Sequence, residues 1–223
     1  MTGGGHGWVS SSYGMGADNI LEATVVTPRG DVLVANECQN SDLFFAIRGG
    51  GGGTYGVLLE ATVKVFPTPH TTSYTILSAL IDPSKEDEWW TVMAEFHKLT
   101  PALKDGGAQG YFYHAPKEYA GMLAFYGAFN FYDKSNETVD AVMKPLEDLL
   151  DAHKDFVFHN HSVVTAPTFY QWYSKNVEPE GVADGDTAIG SRLLSRQALN
   201  GSTEKVKTLL KGSAAHSSNQ TVS

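Results

Sequence analysis

With 223 residues, 42% of them hydrophobic, the chain is long and apolar enough to bury the core of one large domain or two small ones. A formal charge of -9, a pI near 5.3 and no basic patch exclude a nucleic-acid partner, which needs clustered Lys and Arg. No apolar stretch approaches a membrane span, so no membrane partner is expected, and the single Cys38 excludes an intrachain disulfide or a cysteine-based metal cluster.

The chain begins MTGGGHGWVSSSYGMGADN, a glycine-rich stretch with too little apolar content to start a strand or helix. His6 within it is a candidate general base, covalent anchor or local loop residue, and no partner carboxylate is visible. Asp18 and Asn19 can cap a turn or hydrogen-bond a sugar or ring. "EATVVTPRGDVLVAN" reads as a β-hairpin turned by Pro28-Arg29-Gly30-Asp31. "SDLFFAIRGG" reads as a short helix capped by Ser41, with Leu43, Phe44 and Ile47 as its apolar face and the glycines Gly49 to Gly53 as its end. A strand follows from Val57 to Phe66, with Leu59, Ala61, Val63 and Val65 on one face, and Pro67 and Pro69 mark a boundary.

Beyond His70 the glycine density falls. "YTILSALI" reads as a strand, and "PSKEDEWWTVMAEFHKLTPAL" as an amphipathic helix burying Trp89 or Trp90, Val92, Met93 and Phe96. "AQGYFYHA" and "YAGMLAFYGAFN" alternate like antiparallel strands, "NETVDAVMKPLEDLLDAHK" is a helix interrupted by Pro145, and "FVFHNHSVVT" is a strand. "APTFYQWYSKN" is a short aromatic segment, and "AIGSRLLSRQAL" is read as a further strand and turn. The order predicts an α+β arrangement: an antiparallel sheet with helices on one face. The small, polar end is expected to be a disordered tail from about residue 212.

Neither glycine run, "GGGHG" or "RGGGGGTYG", fits a P-loop or a dinucleotide-binding fingerprint. No Gly-Lys-Ser/Thr follows, and the glycines do not sit between a parallel strand and a helix. Both runs bring bare backbone close to something. His159 and His161 share a strand face, as metal ligands can, but no third ligand is evident and no metal is expected. The second part is rich in tyrosines, among them Tyr111, Tyr113, Tyr119 and Tyr126, which pack a sheet or roof a planar ring. Asn136, Asn160, Asn200 and Asn219 each begin an Asn-x-Ser/Thr triplet, which favours a secretory history.

The run from GGGHG through YGMGADN, the hairpin, RGGGGGTYG and "VLLEATVKVFP" resembles the end of a PCMH-type FAD-binding domain. The likeness is to the berberine-bridge-enzyme-like branch of the vanillyl-alcohol-oxidase superfamily, and within it to fungal oxidases described as isoamyl alcohol oxidases. It spans residues 2 to 67; residues 68 to 196 are similar to the family's substrate domain. The resemblance implies two domains, 1–67 and 68–223, the first the C-terminal portion of an FAD-binding domain and the second a truncated substrate domain. It also implies an FAD-dependent oxidase, secreted or extracellular, that takes a hydride from an alcohol, sugar or related small molecule and passes the electrons to oxygen.

Carried over by position, Gly3, Gly4, Gly5, His6, Gly7, Tyr13, Gly14, Asp18, Asn19 and Ile20 line the FAD, with Arg48 and the second glycine run packed beside the domain core. The family's upstream Ser-Gly-Gly-His anchor lies outside these residues, so His6 imitates it without being expected to carry a covalent link. The resemblance thus implies a middle portion of such an enzyme. A cofactor-free remnant or binding module, and one half of a split enzyme with a separate N-terminal half, are the alternatives. The catalytic base is unassigned: a substrate-domain Tyr or carboxylate is expected, with Tyr111, Tyr113 and Tyr126 as candidates by their place on the sheet.

Overall fold

Pro28 fixes φ at the second position of a tight turn, and Gly30 takes a φ of 88° that a side chain would resist. In the computed structural model, which describes residues 1–115, 117, 121–177 and 192–217, the Gly30 N–H donates to the Thr27 carbonyl at 2.9 Å. The turn joins β1 (Ile20–Val26) to β2 (Val32–Asn36), with Val26 opposite Val32. β3 (Val57–Val63) pairs antiparallel with the other edge of β1, so the strand order is β2-β1-β3.

A four-residue helix, α1 (Ser10–Tyr13), precedes the hairpin, and α2 (Ser41–Ile47) follows it. Phe44 and Ile47 of α2 bury against Ile20, Ala23, Val25 and Ala35. Each such side chain contributes about 1.5–3 kcal/mol by leaving water. Ser41 does not cap this helix. Asn40 stands before it in the left-handed region at a φ of 47°, and its amide donates to the Val34 carbonyl at 2.7 Å, tying the helix start to β2.

The face expected for β3 also differs. Leu58 pairs with Val25 and Glu60 with Thr24, which leaves Leu59 as the extra residue of a β-bulge. The bulge breaks the alternation: Leu59 and Val65 are exposed, and Val63 alone of the expected four packs against the core cluster.

The chain divides into two units, Met1–Pro67 and Thr68–Ser223. The second is built on a four-stranded antiparallel sheet in the order β5-β6-β4-β7, from β4 (Thr71–Leu80), β5 (Gln109–Ala115), β6 (Ala124–Tyr132) and β7 (Val157–Ala166). One face is covered by α3 (Glu86–Asp105) and α4 (Asn136–Asp151). Tyr74, Ile76, Phe125, Phe129 and Phe131 from the sheet meet Trp89, Trp90, Met93 and Phe96 of α3 and Val139, Met143, Leu146 and Leu150 of α4. Both tryptophans are buried, where the apolar spacing left one or the other.

Pro145 does not interrupt α4. The helix continues through it because Met143 and Leu146 on either side are fully buried, and packing outweighs the hydrogen bond that a proline nitrogen lacks. α5 (Phe169–Asn176) is capped by Thr168, its Phe169 N–H donates to the Pro69 carbonyl at 2.7 Å, and Phe169 meets Tyr132 edge to face.

"SRLLSR" does not form a strand within the described residues; residues 188–191 of the longer stretch lie outside them. Ser195 instead caps α6 (Arg196–Leu199), and Arg196 grips Asp105 of α3 through two hydrogen bonds of 2.8 and 2.9 Å. α7 (Thr203–Ser217) then runs past residue 212, where the polar composition suggested disorder. Lys207 and Lys211 hold its early turns to Asp87 at the start of α3, and Val206 is buried there.

Candidate functional site

The glycines of the N-terminal loop fall into two groups. Gly4, Gly5 and Gly14 take positive φ values of 118°, 73° and 81° that let the chain reverse on itself. The fold of the loop follows, with Gly16 N–H donating to Gly5 O at 2.8 Å and Ala17 N–H to Gly4 O at 2.9 Å. A Cβ on Gly5 would lie 2.8 Å from Gly16 Cα, so the two backbone segments touch only because both are glycine. Gly3 and Gly7 are different, since a Cβ on either meets nothing within 4 Å. Their backbone is bare toward open space, which fits the close approach of a planar or phosphorylated group.

The polar residues of the loop hold its shape. Asp18 accepts from Met15 N–H at 2.8 Å, and the Asn19 amide donates to the carbonyls of Tyr13 and Met15, both at 2.9 Å. In the folded loop these side chains cap turns. Ile20 is buried in the core of the first unit, and Tyr13 packs on Phe66 with ring centroids 4.6 Å apart. His6 is exposed on the loop.

The sequence places Arg48 beside the domain core; in the structure it also fastens the loop. Its Nε donates to the Ala17 carbonyl at 3.0 Å and its guanidinium carbon sits 4.9 Å from the Phe44 ring centroid. Gly49 and Gly51 both donate to the Thr2 carbonyl at 2.9 Å. The second glycine run therefore clasps the first.

In the second unit, the sheet face opposite α3 and α4 carries the tyrosines. Tyr113 lies directly across from Tyr126, with Leu77 next on β4, and this row is open: the three are 59%, 45% and 46% exposed. One step along, Tyr111 pairs with Ala128 and Ala128 with Thr75. A further step gives Gln109, Asn130 and Ser73, where Asn130 and Ser73 are fully buried. All three candidate tyrosines thus share one face, which slopes from an open aromatic end to a closed polar one. Tyr119 lies outside the described residues.

On the helix-covered side, the Tyr74 hydroxyl donates to Glu147 Oε1 at 2.7 Å. Burial, then the bond to Glu147, pushes this phenol above the ordinary tyrosine range, so it stays protonated and is no base. His161 stacks on the Tyr74 ring at 5.0 Å, and His159 Nε2 lies 3.1 Å from Asp151. The two histidines share a face as the strand period requires, and each is engaged with α4 or Tyr74. Among the described residues no group of three His, Cys, Asp or Glu is placed to hold a metal ion. No helix among them is long and apolar enough to cross a membrane.

No protein-family model matches the chain. The FAD-linked oxidoreductase apf9 of Gibberella fujikuroi is 32% identical over 218 residues, covering 93% of this chain and 37% of its own length. The crystal structure of the VAO-type flavoprotein MtVAO713 from Myceliophthora thermophila C1 superposes with a TM-score of 0.80 at 30% identity, over 96% of this chain and 38% of that one. The chain is a homologue of VAO-type FAD-linked oxidoreductases. It spans about a third of the length of the curated relatives it matches. A xylooligosaccharide oxidase from Myceliophthora thermophila C1, solved with xylobiose, is similar at a TM-score of 0.55 and 25% identity over 80% of this chain and 35% of its own.

As a VAO-type homologue the chain has an α+β, antiparallel architecture that agrees with the resemblance drawn from its motifs, and FAD is the cofactor its relatives imply. Sequence reasoning missed Arg48 as the fastener of the loop and the polar pair Ser73 and Asn130. The only advance signal for Arg48 was a cation just before a glycine run. Ser73 and Asn130 gave none, because single polar residues in a strand ordinarily mark its solvent face.

Proposed function

We propose that the chain is part of an FAD-dependent oxidoreductase that oxidises a hydroxyl-bearing small molecule with oxygen as acceptor. The observation that carries this reading is the fastened loop from Gly3 to Asn19, whose backbone is bare at Gly3 and Gly7. When bound, FAD supplies a hydride acceptor and a route for electrons to oxygen. Gly3, Gly4, Gly5, His6, Gly7, Tyr13 and Gly14 are the residues we assign to its contact surface. Asp18, Asn19 and Arg48 keep that surface in shape, and Ile20 anchors it to the core.

Tyr111, Tyr113 and Tyr126 offer phenols to a substrate hydroxyl from one sheet face, and one of them is assigned as the group that takes its proton. The test is oxygen uptake by the polypeptide carrying this chain, assayed over primary alcohols and oligosaccharides, with each tyrosine replaced by phenylalanine in turn. Loss of a proton-accepting tyrosine is expected to lower kcat about 10²–10⁴-fold. Absence of uptake with every alcohol and sugar, in a preparation that holds FAD, would count against the reading.

We also infer passage through the secretory route. Asn136 and Asn200 are exposed where a glycan would have room, Asn160 lies beside Leu77 on the tyrosine face, and Asn219 lies outside the described residues. The protein secreted by a fungal host is expected to lose mass on treatment with an N-glycan-releasing amidase; unchanged mass would contradict the inference.

A further inference from the structure

We propose that Ser73 and Asn130 form a hydrogen-bonding station that receives a hydroxyl group of a neutral small-molecule ligand at the closed end of the tyrosine face. The proposal rests on the reading above in taking that ligand to be the substrate. Ser73 and Asn130 are cross-strand partners on β4 and β6, so their side chains lie together on the face opposite α3 and α4. They are 2% and 0% exposed, and Ser73 Oγ, Asn130 Oδ1 and Asn130 Nδ2 have no hydrogen-bond partner. Buried polar side chains are ordinarily paired, and a set left unpaired in one place marks a ligand or an ordered water.

Thr72 Oγ1 and Ser78 Oγ are also buried without a partner, but they point to the helix-covered side, where the apolar core closes over them. Ser73 and Asn130 instead stand four residues along their strands from Leu77 and Tyr126, which are open to solvent. A ligand lying along this face with a ring against Tyr113 and Tyr126 would reach the station past Tyr111 and Thr75. The chemistry of the face sets the class. Asn130 offers both a donor and an acceptor, Ser73 offers either, and the three rows carry no charged side chain from β4, β5 or β6. A neutral hydroxyl matches such a surface, whereas an ion would be desolvated without a counter-charge.

The polypeptide carrying this chain, labelled with nitrogen-15, provides the test. The side-chain amide signals of Asn130, assigned by their disappearance in Asn130→Asp, are followed while xylobiose or, separately, 4-methoxybenzyl alcohol is added. A saturable shift with either probe is expected, the two arms distinguishing a sugar from an aryl alcohol. Ser73→Ala is expected to weaken that binding about fivefold, the usual effect of one hydrogen bond. The same variant is expected to raise the thermal midpoint by about 2–4 °C, because it removes an unpaired buried hydroxyl.

A fall in midpoint would reveal a structural partner for Ser73 and overturn the proposal. So would Asn130 signals that respond to neither probe and show contact with an ordered water only. Shifts confined to Tyr113 and Tyr126 would overturn the station while leaving the oxidoreductase reading in place. A response at Asn130, in a protein whose longer form binds no flavin, would support the station and sink that reading.

Discussion

Phe96→Ala is expected to destabilise the second unit by about 3–5 kcal/mol, the cost typical of truncating a buried phenylalanine. Phe96 is fully buried at the middle of α3, with ring centroids 4.7 Å from Phe125 and 4.9 Å from Phe112. Both contacts are edge to face, the arrangement that adds to simple area burial. Alanine leaves a cavity walled by rings from β5 and β6, which are held by sheet pairing and cannot collapse inward freely. The thermal midpoint should fall by about 6–20 °C, at about 2–4 °C per kcal/mol for a unit of this size. Tyr170→Ala, at a side chain 71% exposed, is the control and should change stability by less than about 0.5 kcal/mol. Equal effects of the two substitutions would contradict the packing described for the core.

Acidification from neutral pH should destabilise the same unit through a buried pair of imidazoles. His114 stacks on His97 with centroids 5.2 Å apart and an interplanar angle of 18°. Burial, and secondarily the neighbouring His97, push His114 down to about 4. Burial likewise lowers His97, against a hydrogen bond between its Nδ1 and the Met93 carbonyl that works the other way.

Between about pH 4 and the ordinary histidine value near 6.5 the unfolded chain binds more protons than the folded one. The stabilisation is therefore complete above about pH 6.5 and is lost as pH falls toward 4. For His114 alone the full loss is about 3 kcal/mol. Carboxylates held by ion pairs, such as Asp87 with Lys207 and Lys211, lose stability at lower pH still, so the comparison must be made with His114→Phe. Urea midpoints measured at pH 7 and at pH 4.5 should differ markedly less in that variant than in the parent chain. An identical pH dependence would show that His114 does not titrate as its burial requires.

Much of this architecture is legible in the residues because local chemistry and burial agree. Pro28 and Gly30 specify the hairpin turn, and the apolar spacing of Trp89, Met93 and Phe96 specifies a helix with one buried stripe. Where the reading went astray, a tertiary effect prevailed over a local rule. Pro145 should break a helix in isolation, but Met143 and Leu146 hold α4 to the core on both sides of it. Leu59 belongs to an apolar alternation that a bulge in β3 cancels, and nothing in composition announces a register shift.

The glycine loop was legible as a place where backbone comes close to something. How it is held was not, since Arg48 reaches the Ala17 carbonyl across 31 positions and sequence gives no distance. Tyr111, Tyr113 and Tyr126 stand out in sequence only by their place on the expected sheet; that they share one face follows from the pairing between strands. Ser73 and Asn130 acquire meaning only when that pairing sets them side by side.

The loop from Gly3 to Asn19 is assigned here as part of an FAD site. The most direct test of that assignment is the visible absorption spectrum of the purified polypeptide carrying this chain, compared with Gly5→Val and with Gly212→Ala as control. Valine at Gly5 meets the Gly16 backbone and an unfavourable φ, whereas Gly212 has open space around it. The account predicts stoichiometric flavin in the parent and in Gly212→Ala, with most of it lost in Gly5→Val. A parent protein that shows no flavin bands even after incubation with FAD, or a Gly5→Val variant that keeps them all, would contradict it.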